Sequence, residues 1–352
     1  MKTLFQLLDQ TLTEGKDAVL VTVVASSGST PRGAGARMLI TEKGRIHGTI
    51  GGGAVEYKSE QIAAEVLTKK SSMTEHFLLR KNDVLDLGMV CGGDVTVYFH
   101  YIPAGDEATL ALCKEVADCF ETGEQCFLIT DITEHGSGSL SLYGVKRGIR
   151  GPEVPSSVIE NLKFKPSQFE ADGRFYYTEI LIRSGRVYIF GGGHVAQALV
   201  PALAAVNFRC VILEDREEFC RPELFPGVEE TKLIDNNHIE DYISVTPEDY
   251  ICIMTRGHKD DLICEAYALK TPACYIGVIG SRKKVASVNE RLMNMGITEE
   301  ELGRITTPIG LDIMAETPAE IAVSITGQLI LERAKRTKAA GNYKKDYDLL
   351  HS

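Results

Sequence analysis

"VYIFGGGHVAQALVPALAAV" (187–206) reads as a β-branched and aromatic run, a glycine turn and an alanine- and leucine-rich helix, in that order. The turn fits G-x-G-x-x-A at Gly191, Gly193 and Ala196. The pattern is weak by itself and becomes usable because it follows a strand and opens a helix. Glycines here let a pyrophosphate approach the backbone and the helix N-terminus. Gly192 and His194 complete the turn, and the His194 ring is expected to cover the ligand crevice. An acidic residue is due at the end of the next strand, roughly 20 residues on, to hold a ribose hydroxyl. Glu214 and Asp215 close "CVILED" (210–215) at that distance. The competing reading is a Rossmann-like domain whose turn is merely tight.

Further along, "YICIMT" (250–255) and "CYIGVIG" (274–280) are apolar strands, each followed by a polar loop and a helical segment. Repeated βα units imply a parallel sheet with helices on both faces. Ligands of such sheets bind beyond the carboxyl ends of the strands. That places Arg256, His258, Ser281 and Arg282 around the same crevice, with anion binding expected of Arg256 and Arg282. Ser281 also suits a helix cap. Lys283 and Lys284 read as solvated surface. The final helix has a full start signal in Thr317, Pro318 and Glu320.

The βα rhythm begins after the polar turn "RSGR" (183–186), so the chain divides into residues 1–183 and 184–352. The first part mixes signals. Leu4, Leu7, Leu8 and Leu12 mark a short amphipathic helix, and "AVLVTVVA" (18–25) marks a buried strand. "ARMLIT" and "RIHGTI" flank "EKG" as a hairpin; Gly51, Gly52 and Gly53 then lead into a helical pattern. "DVTVYFHYI" (94–102) alternates, placing Val95, Val97, Phe99 and Tyr101 on one face. Residues 106–122 read as helix, "QCFLITDI", "SLSLYGV" and "GRFYYTEIL" as strands, and 148–170 as a Pro/Gly-containing excursion. The fold class is α/β: a C-terminal Rossmann-like parallel sheet plus an N-terminal mixed α/β domain.

With 44 % hydrophobic and 25 % charged residues, the 352-residue chain has an ordinary soluble composition. A net charge of −11 without a long basic patch argues against nucleic acid. The N-terminal residues do not read as a secretory signal, and the longest apolar runs are too short to span a bilayer. A cytoplasmic protein is expected. Nine scattered cysteines do not form a disulfide framework, and no CxxC, HExxH or His-x-His suggests a closed zinc site.

One cysteine stands apart. In "GMVCGGDV" (88–95), Cys91 is followed by Gly92 and Gly93, so large side chains are missing where a thiol sits. Taken alone, packing and function are equally good readings of Cys91. The other eight cysteines fall in helical or strand patterns and read as packing. "HGTIGGGAVE" (47–56) is a second strand–glycine–helix turn, again suited to an anion through helix N-terminal amides. "SSGSTPRGAG" (26–35) adds Ser29, Thr30 and Arg32 on a loop.

Together "GSTPRGAGARMLI", "GTIGGGAVE", "CGGDVTVYF", "FGGGHVAQAL", "GSRKK" and "TPIGLDIMAETPAEIAVSI" resemble the XdhC/CoxI family, in order and over nearly the whole chain. The resemblance implies an accessory protein of xanthine dehydrogenase and related molybdenum hydroxylases, active in purine catabolism. Such a protein binds molybdenum cofactor, as molybdopterin or its dinucleotide form, supports its sulfuration by a cysteine desulfurase, and delivers it to the hydroxylase. It also implies a homodimer and a chaperone rather than a catalyst. The family's cofactor-binding cysteine falls on Cys91, its Pro-Arg loop on Pro31 and Arg32, and its Gly-Gly-Gly turn on Gly51–Gly53. Many members carry a cysteine after that turn, whereas this chain has Ala54. A mechanism needing two thiols is therefore in doubt here.

The chemistry suits these residues. A phosphate end calls for backbone amides and arginine. A soft molybdenum centre accepts a thiolate, so Cys91 is a candidate transient metal ligand. Gly92 and Gly93 would leave room for the bulky metal–pterin unit. Glu56, at the start of a helix, is favourable to the helix dipole in any case. The alternative from another class is an NAD(P)-dependent oxidoreductase using the Rossmann half, and the third is a pure interaction module.

Overall fold

The computed structural model describes residues 1–28, 33–79, 93–133, 138–182, 185–280 and 282–339. The fold divides into two compact units, Met1–Arg183 and Ser184–Ala339.

The first unit begins with helix α1 (Lys2–Thr13) and strand β1 (Ala18–Gly28). The expected hairpin follows as β2 (Arg37–Thr41) and β3 (Gly44–Thr49), then α2 (Gly53–Lys69), β4 (Met73–Leu79) and β5 (Gly93–Ile102). These strands form one antiparallel sheet in the order β3-β2-β1-β5-β4. After α3 (Glu107–Thr122), the strands β6 (Cys126–Asp131), β7 (Ser139–Gly144), β8 (Gly148–Arg150), β9 (Ser167–Ala171) and β10 (Arg174–Ile182) form a second. Its order is β8-β7-β6-β10-β9, again antiparallel.

The first sheet is covered on both faces, which explains the unbroken apolar run in β1. Val19, Val21, Val95, Val97 and Phe99 pack with Val55, Ala63 and Val66 of α2. On the other face Leu20, Leu39 and Ile102 join Leu4, Phe5 and Leu8 of α1, Leu112 and Val116 of α3, and Leu128 of β6. Local chemistry sets the ends of α3: the Asp106 carboxylate accepts the Thr109 amide at 2.8 Å, and Gly123 closes the helix at φ 66°. The stretch expected as an irregular excursion holds β8, β9 and a short helix, α4 (Ser156–Glu160). Val158 and Leu162 there cover Phe127, Ile129 and Tyr176. Elements this short carry too few residues to show a period.

The second unit is the expected Rossmann-like one. Its order is β11 (Val187–Phe190), α5 (His194–Ala205), β12 (Cys210–Glu214), β13 (Glu230–Leu233), β14 (Tyr250–Ile253), α6 (His258–Lys270), β15 (Tyr275–Val278), α7 (Arg282–Asn294), α8 (Glu299–Leu302), β16 (Ile305–Thr306) and α9 (Pro318–Ala339). The six strands are parallel and ordered β13-β12-β11-β14-β15-β16. Counted from β11 this is 3-2-1-4-5-6, the dinucleotide-fold order, with its switch point between β11 and β14. Leu199, Leu203, Ile325 and Leu329 pack α5 and α9 on one face. Leu262, Leu269, Val288 and Leu292 pack α6 and α7 on the other. The expected cap of α9 forms: the Thr317 amide donates to Glu320 Oε2 at 2.8 Å, and the Glu320 amide to Thr317 Oγ1 at 3.3 Å.

Between β12 and β13 the chain makes short 3₁₀ turns, Glu217–Phe219 and Pro222–Leu224. Cys220 lies there, half-buried, outside any helix or strand, unlike the packing position its sequence context suggested. Six of the described cysteines are buried, and Cys274 is half-buried. Among the described residues, no helix is long and apolar enough to cross a membrane.

Leu128 lies fully buried between the two sheets. Leu128→Ala is expected to lower the unfolding free energy by about 2–5 kcal/mol in urea denaturation. Tyr57→Ala, at a position 66 % exposed, should change it by less than about 0.5 kcal/mol.

Candidate functional site

Strands of the first sheet carry the flanks of the sequence motifs. Gly28, the last residue of β1, pairs with Gly93, the first of β5, and Gly93 pairs on its other side with Leu79, the last of β4. In the hairpin Arg37 pairs with Thr22 of β1 on one side and with Thr49 on the other, and the turn at Gly51–Gly53 follows directly after Thr49. One flank of the Pro-Arg loop, Gly28, therefore lies beside Gly93, and the other, Arg37, beside Thr49. Cys91, Gly92 and Arg32 themselves lie outside the described residues, as do Ser29, Thr30 and Pro31.

Gly51, Gly52 and Gly53 have φ of 129°, 76° and 66° in succession, a path that only glycine follows without strain. A buried glutamate holds this path. Glu56 accepts the amides of Ile50 at 3.0 Å and Gly52 at 3.1 Å, and also binds Thr49 Oγ1 and the Arg45 guanidinium. The Gly51 amide donates to Thr49 Oγ1 at 3.1 Å. Burial opposes ionisation of Glu56, but the bonds from Thr49, Gly52, Ile50 and Arg45 outweigh it and hold its carboxyl below the usual range. Three turn amides are thus already engaged, and an incoming anion has to use others.

The base of the Pro-Arg loop is fixed from the second sheet. Arg37, with its side chain 2 % exposed, pairs with Glu179 of β10. Tyr177 donates to Glu179 Oε2 at 3.3 Å. The Arg37 guanidinium also reaches the Gly35 carbonyl at 3.4 Å, and a side chain at position 35 would collide with the Glu179 carboxylate. Nothing in the sequence pairs residues 37 and 179, which lie on different sheets.

In the second unit, the turn at Gly191–Gly193 lies at the switch point. Gly191, at φ 105°, passes so close to the Met254 carbonyl at the end of β14 that no side chain fits. The Gly192 amide donates to Glu214 Oε2 at 2.6 Å, and the glycine is covered by the Phe219 carbonyl and the Phe225 ring. Gly193 faces open space. His194 is exposed at the start of α5, and Asp215 and Arg256 are exposed beyond β12 and β14. Ser281 and the Arg282 side chain lie outside the described residues, though the Arg282 backbone opens α7. Glu214 is buried. Burial raises its pKa, but the bonds from Arg216, the Asp215 side chain and the Gly192 amide overcome this and hold it at about 2. Arg216, two residues beyond Glu214, is the group that the motif reading did not include.

Residues 11–77 match the XdhC and CoxI family, and residues 187–329 match the XdhC Rossmann domain. The chain belongs to the XdhC/CoxI family. The uncharacterized protein YqeB of Escherichia coli strain K12 is 24 % identical over 314 residues, 88 % of this chain and 42 % of YqeB. This chain therefore spans less than half of that relative. A Bacillus subtilis protein named as a probable subunit of xanthine dehydrogenase is 26 % identical over 333 residues, 94 % of this chain and 97 % of its own. The molybdenum cofactor insertion chaperone PaoD of E. coli is 21 % identical over 329 residues, 93 % of this chain and 87 % of PaoD. The fold is shared with a Bacillus halodurans crystal structure described as a xanthine dehydrogenase, at TM-score 0.77 and 24 % identity over 94 % of this chain and 96 % of that one.

The two glutamates set a pH dependence. Each has a folded pKa below its ordinary 4.5, so the unfolded chain binds more protons in this range. The stabilisation they provide is complete above about pH 4.5 and is lost as the pH falls toward the folded values, about 2 for Glu214. Denaturation midpoints measured from pH 6 down to pH 3 should fall for the wild type and fall less steeply for Glu56→Gln and for Glu214→Gln. Equal slopes in all three would show that neither carboxylate is the cause.

Proposed function

We propose that this XdhC/CoxI-family protein is an accessory factor of xanthine dehydrogenase or a related molybdenum hydroxylase. Its cargo is molybdenum cofactor, which it binds, holds during sulfuration by a cysteine desulfurase, and hands to the apo-enzyme. The observation that carries this reading is that the two flanks of the Pro-Arg loop each pair with another motif's flank, Gly28 with Gly93 and Arg37 with Thr49. The Pro-Arg loop thereby connects a strand beside Gly93 to a strand beside the glycine turn. Similarity to an insertion chaperone over 93 % of the chain supports it.

In this reading Cys91 supplies a soft thiolate toward molybdenum, and Gly92 and Gly93 leave the backbone clear for the pterin. Arg32 meets the phosphate. Ala54 leaves the glycine turn without a thiol of its own, so a single cysteine does the work. The protein acts as a homodimeric, cytoplasmic chaperone without turnover.

Purified wild type, Cys91→Ser and Cys274→Ser are to be incubated with molybdenum cofactor anaerobically, freed of unbound ligand, and assayed for molybdenum and pterin. Wild type and Cys274→Ser should retain the cofactor, and Cys91→Ser should lose most of it. Retention by none of the three would sink the chaperone reading. An NAD(P)-dependent oxidoreductase has one observation in its favour, the 3-2-1-4-5-6 strand order. The loop after β12 weighs against it.

A further inference from the structure

Arg216 directly follows the acidic pair at the end of β12. Its guanidinium lies across the Glu214 carboxylate in a two-point contact, Nε to Oε1 at 2.8 Å and a terminal nitrogen to Oε2 at 3.0 Å. The guanidinium also sits 4.1 Å over the Phe219 ring. The Phe219 carbonyl in turn closes over Gly192. Arginine, carboxylate, aromatic ring and glycine turn thus form one closed stack, in which the Glu214 side chain is 2 % exposed and that of Arg216 25 %.

In a dinucleotide-binding Rossmann domain the carboxylate ending the second strand receives the ribose hydroxyls. Here its capacity is spent. Oε1 takes the amides of Asp215 and Arg216, both at 3.2 Å, and Arg216 Nε. Oε2 takes the Gly192 amide and the second Arg216 nitrogen. These five donors fill the roughly four lone-pair directions that a carboxylate offers. A charged two-point contact is also stronger than the neutral hydroxyl bonds that would replace it. The exposed Asp215 carboxylate belongs to the same cluster: its Oδ1 lies 3.8 Å from Arg216 Nε, and its carboxyl is raised first by its hydrogen bond with Glu214.

We propose that Arg216 is a specificity-determining latch: it occupies the ribose position of the Rossmann crevice and keeps out adenine dinucleotides of the NAD(P) class. The latch is independent of whether the protein carries molybdenum cofactor, although it explains how a chaperone can use the dinucleotide fold without competing for cellular NAD(P). Removing the guanidinium leaves Glu214 with three backbone donors, so the turn keeps its shape while the carboxylate faces the crevice.

The test is calorimetric titration of the full chain with NADH, NADPH and ADP-ribose. Wild type should show no saturable binding. Arg216→Ala should bind NADH and ADP-ribose at least about tenfold more tightly, the equivalent of one charge-assisted contact. Adding Glu214→Gln to Arg216→Ala should abolish that gain, because the ribose acceptor is then neutral. Phe219→Ala, which keeps Arg216 but removes its support, should give a smaller gain and serves if Arg216→Ala melts early. The latch is wrong if both single variants fold and neither gains affinity. It is equally wrong if wild type binds NADPH tightly and Arg216→Ala loses it, since Arg216 would then be a ligand for the 2′-phosphate. Cofactor retention by the wild type is read separately, so loss of the chaperone reading and loss of the latch give different results.

Discussion

In each unit a buried glutamate turns back onto the amides of a glycine turn: Glu56 onto Ile50 and Gly52, Glu214 onto Gly192. A glycine turn takes its amides out of the strand ladder, and each unpaired buried amide costs about 1–3 kcal/mol. The carboxylate removes that cost and gains charge-assisted bonds. It also changes what the turn can bind. An anion already sits on these amides, so a ligand phosphate is directed to neighbouring donors such as those at Gly193, which faces open space. The glycines and the glutamate behind them are therefore one device, and neither residue type explains the turn without the other.

The first unit adds a second constraint. Two antiparallel sheets share an apolar layer, and Arg37 and Glu179 interrupt it with a charge pair almost free of solvent. A buried pair of this kind seldom adds net stability over an apolar substitute, but removing one partner strands the other at about 3–5 kcal/mol. It does give register. Arg37 begins β2 and Glu179 lies in β10, so the pair ties the strand that follows the Pro-Arg loop to the second sheet. Gly35 and Arg37, at the described base of the loop, are thus held by a sheet that begins far along the chain.

Much of this architecture is legible in local patterns. The alternation of Val95, Val97 and Phe99 gives β5 its inner face, "EKG" gives the β2–β3 hairpin, and Thr317 with Glu320 gives the start of α9. Each depends on a handful of neighbouring residues, and so survives in the sequence. The 148–170 stretch was opaque because α4 and β8 are too short to display a period. The irregular course of 215–225 was opaque because 3₁₀ turns of three residues are too short to display a period, and Arg216 was hidden with it.

The sequence by itself determined the βα rhythm, the position of both glycine turns and the cap of the last helix, because steric limits on glycine and the pairing of polar groups with nearby backbone act over a few residues. Only the tertiary structure decided that Gly28 meets Gly93 and Arg37 meets Thr49, that Arg37 finds Glu179, and that Arg216 meets Glu214. Those contacts depend on which strands become neighbours. That is settled by burying apolar faces over the whole unit, and no local run of residues encodes it.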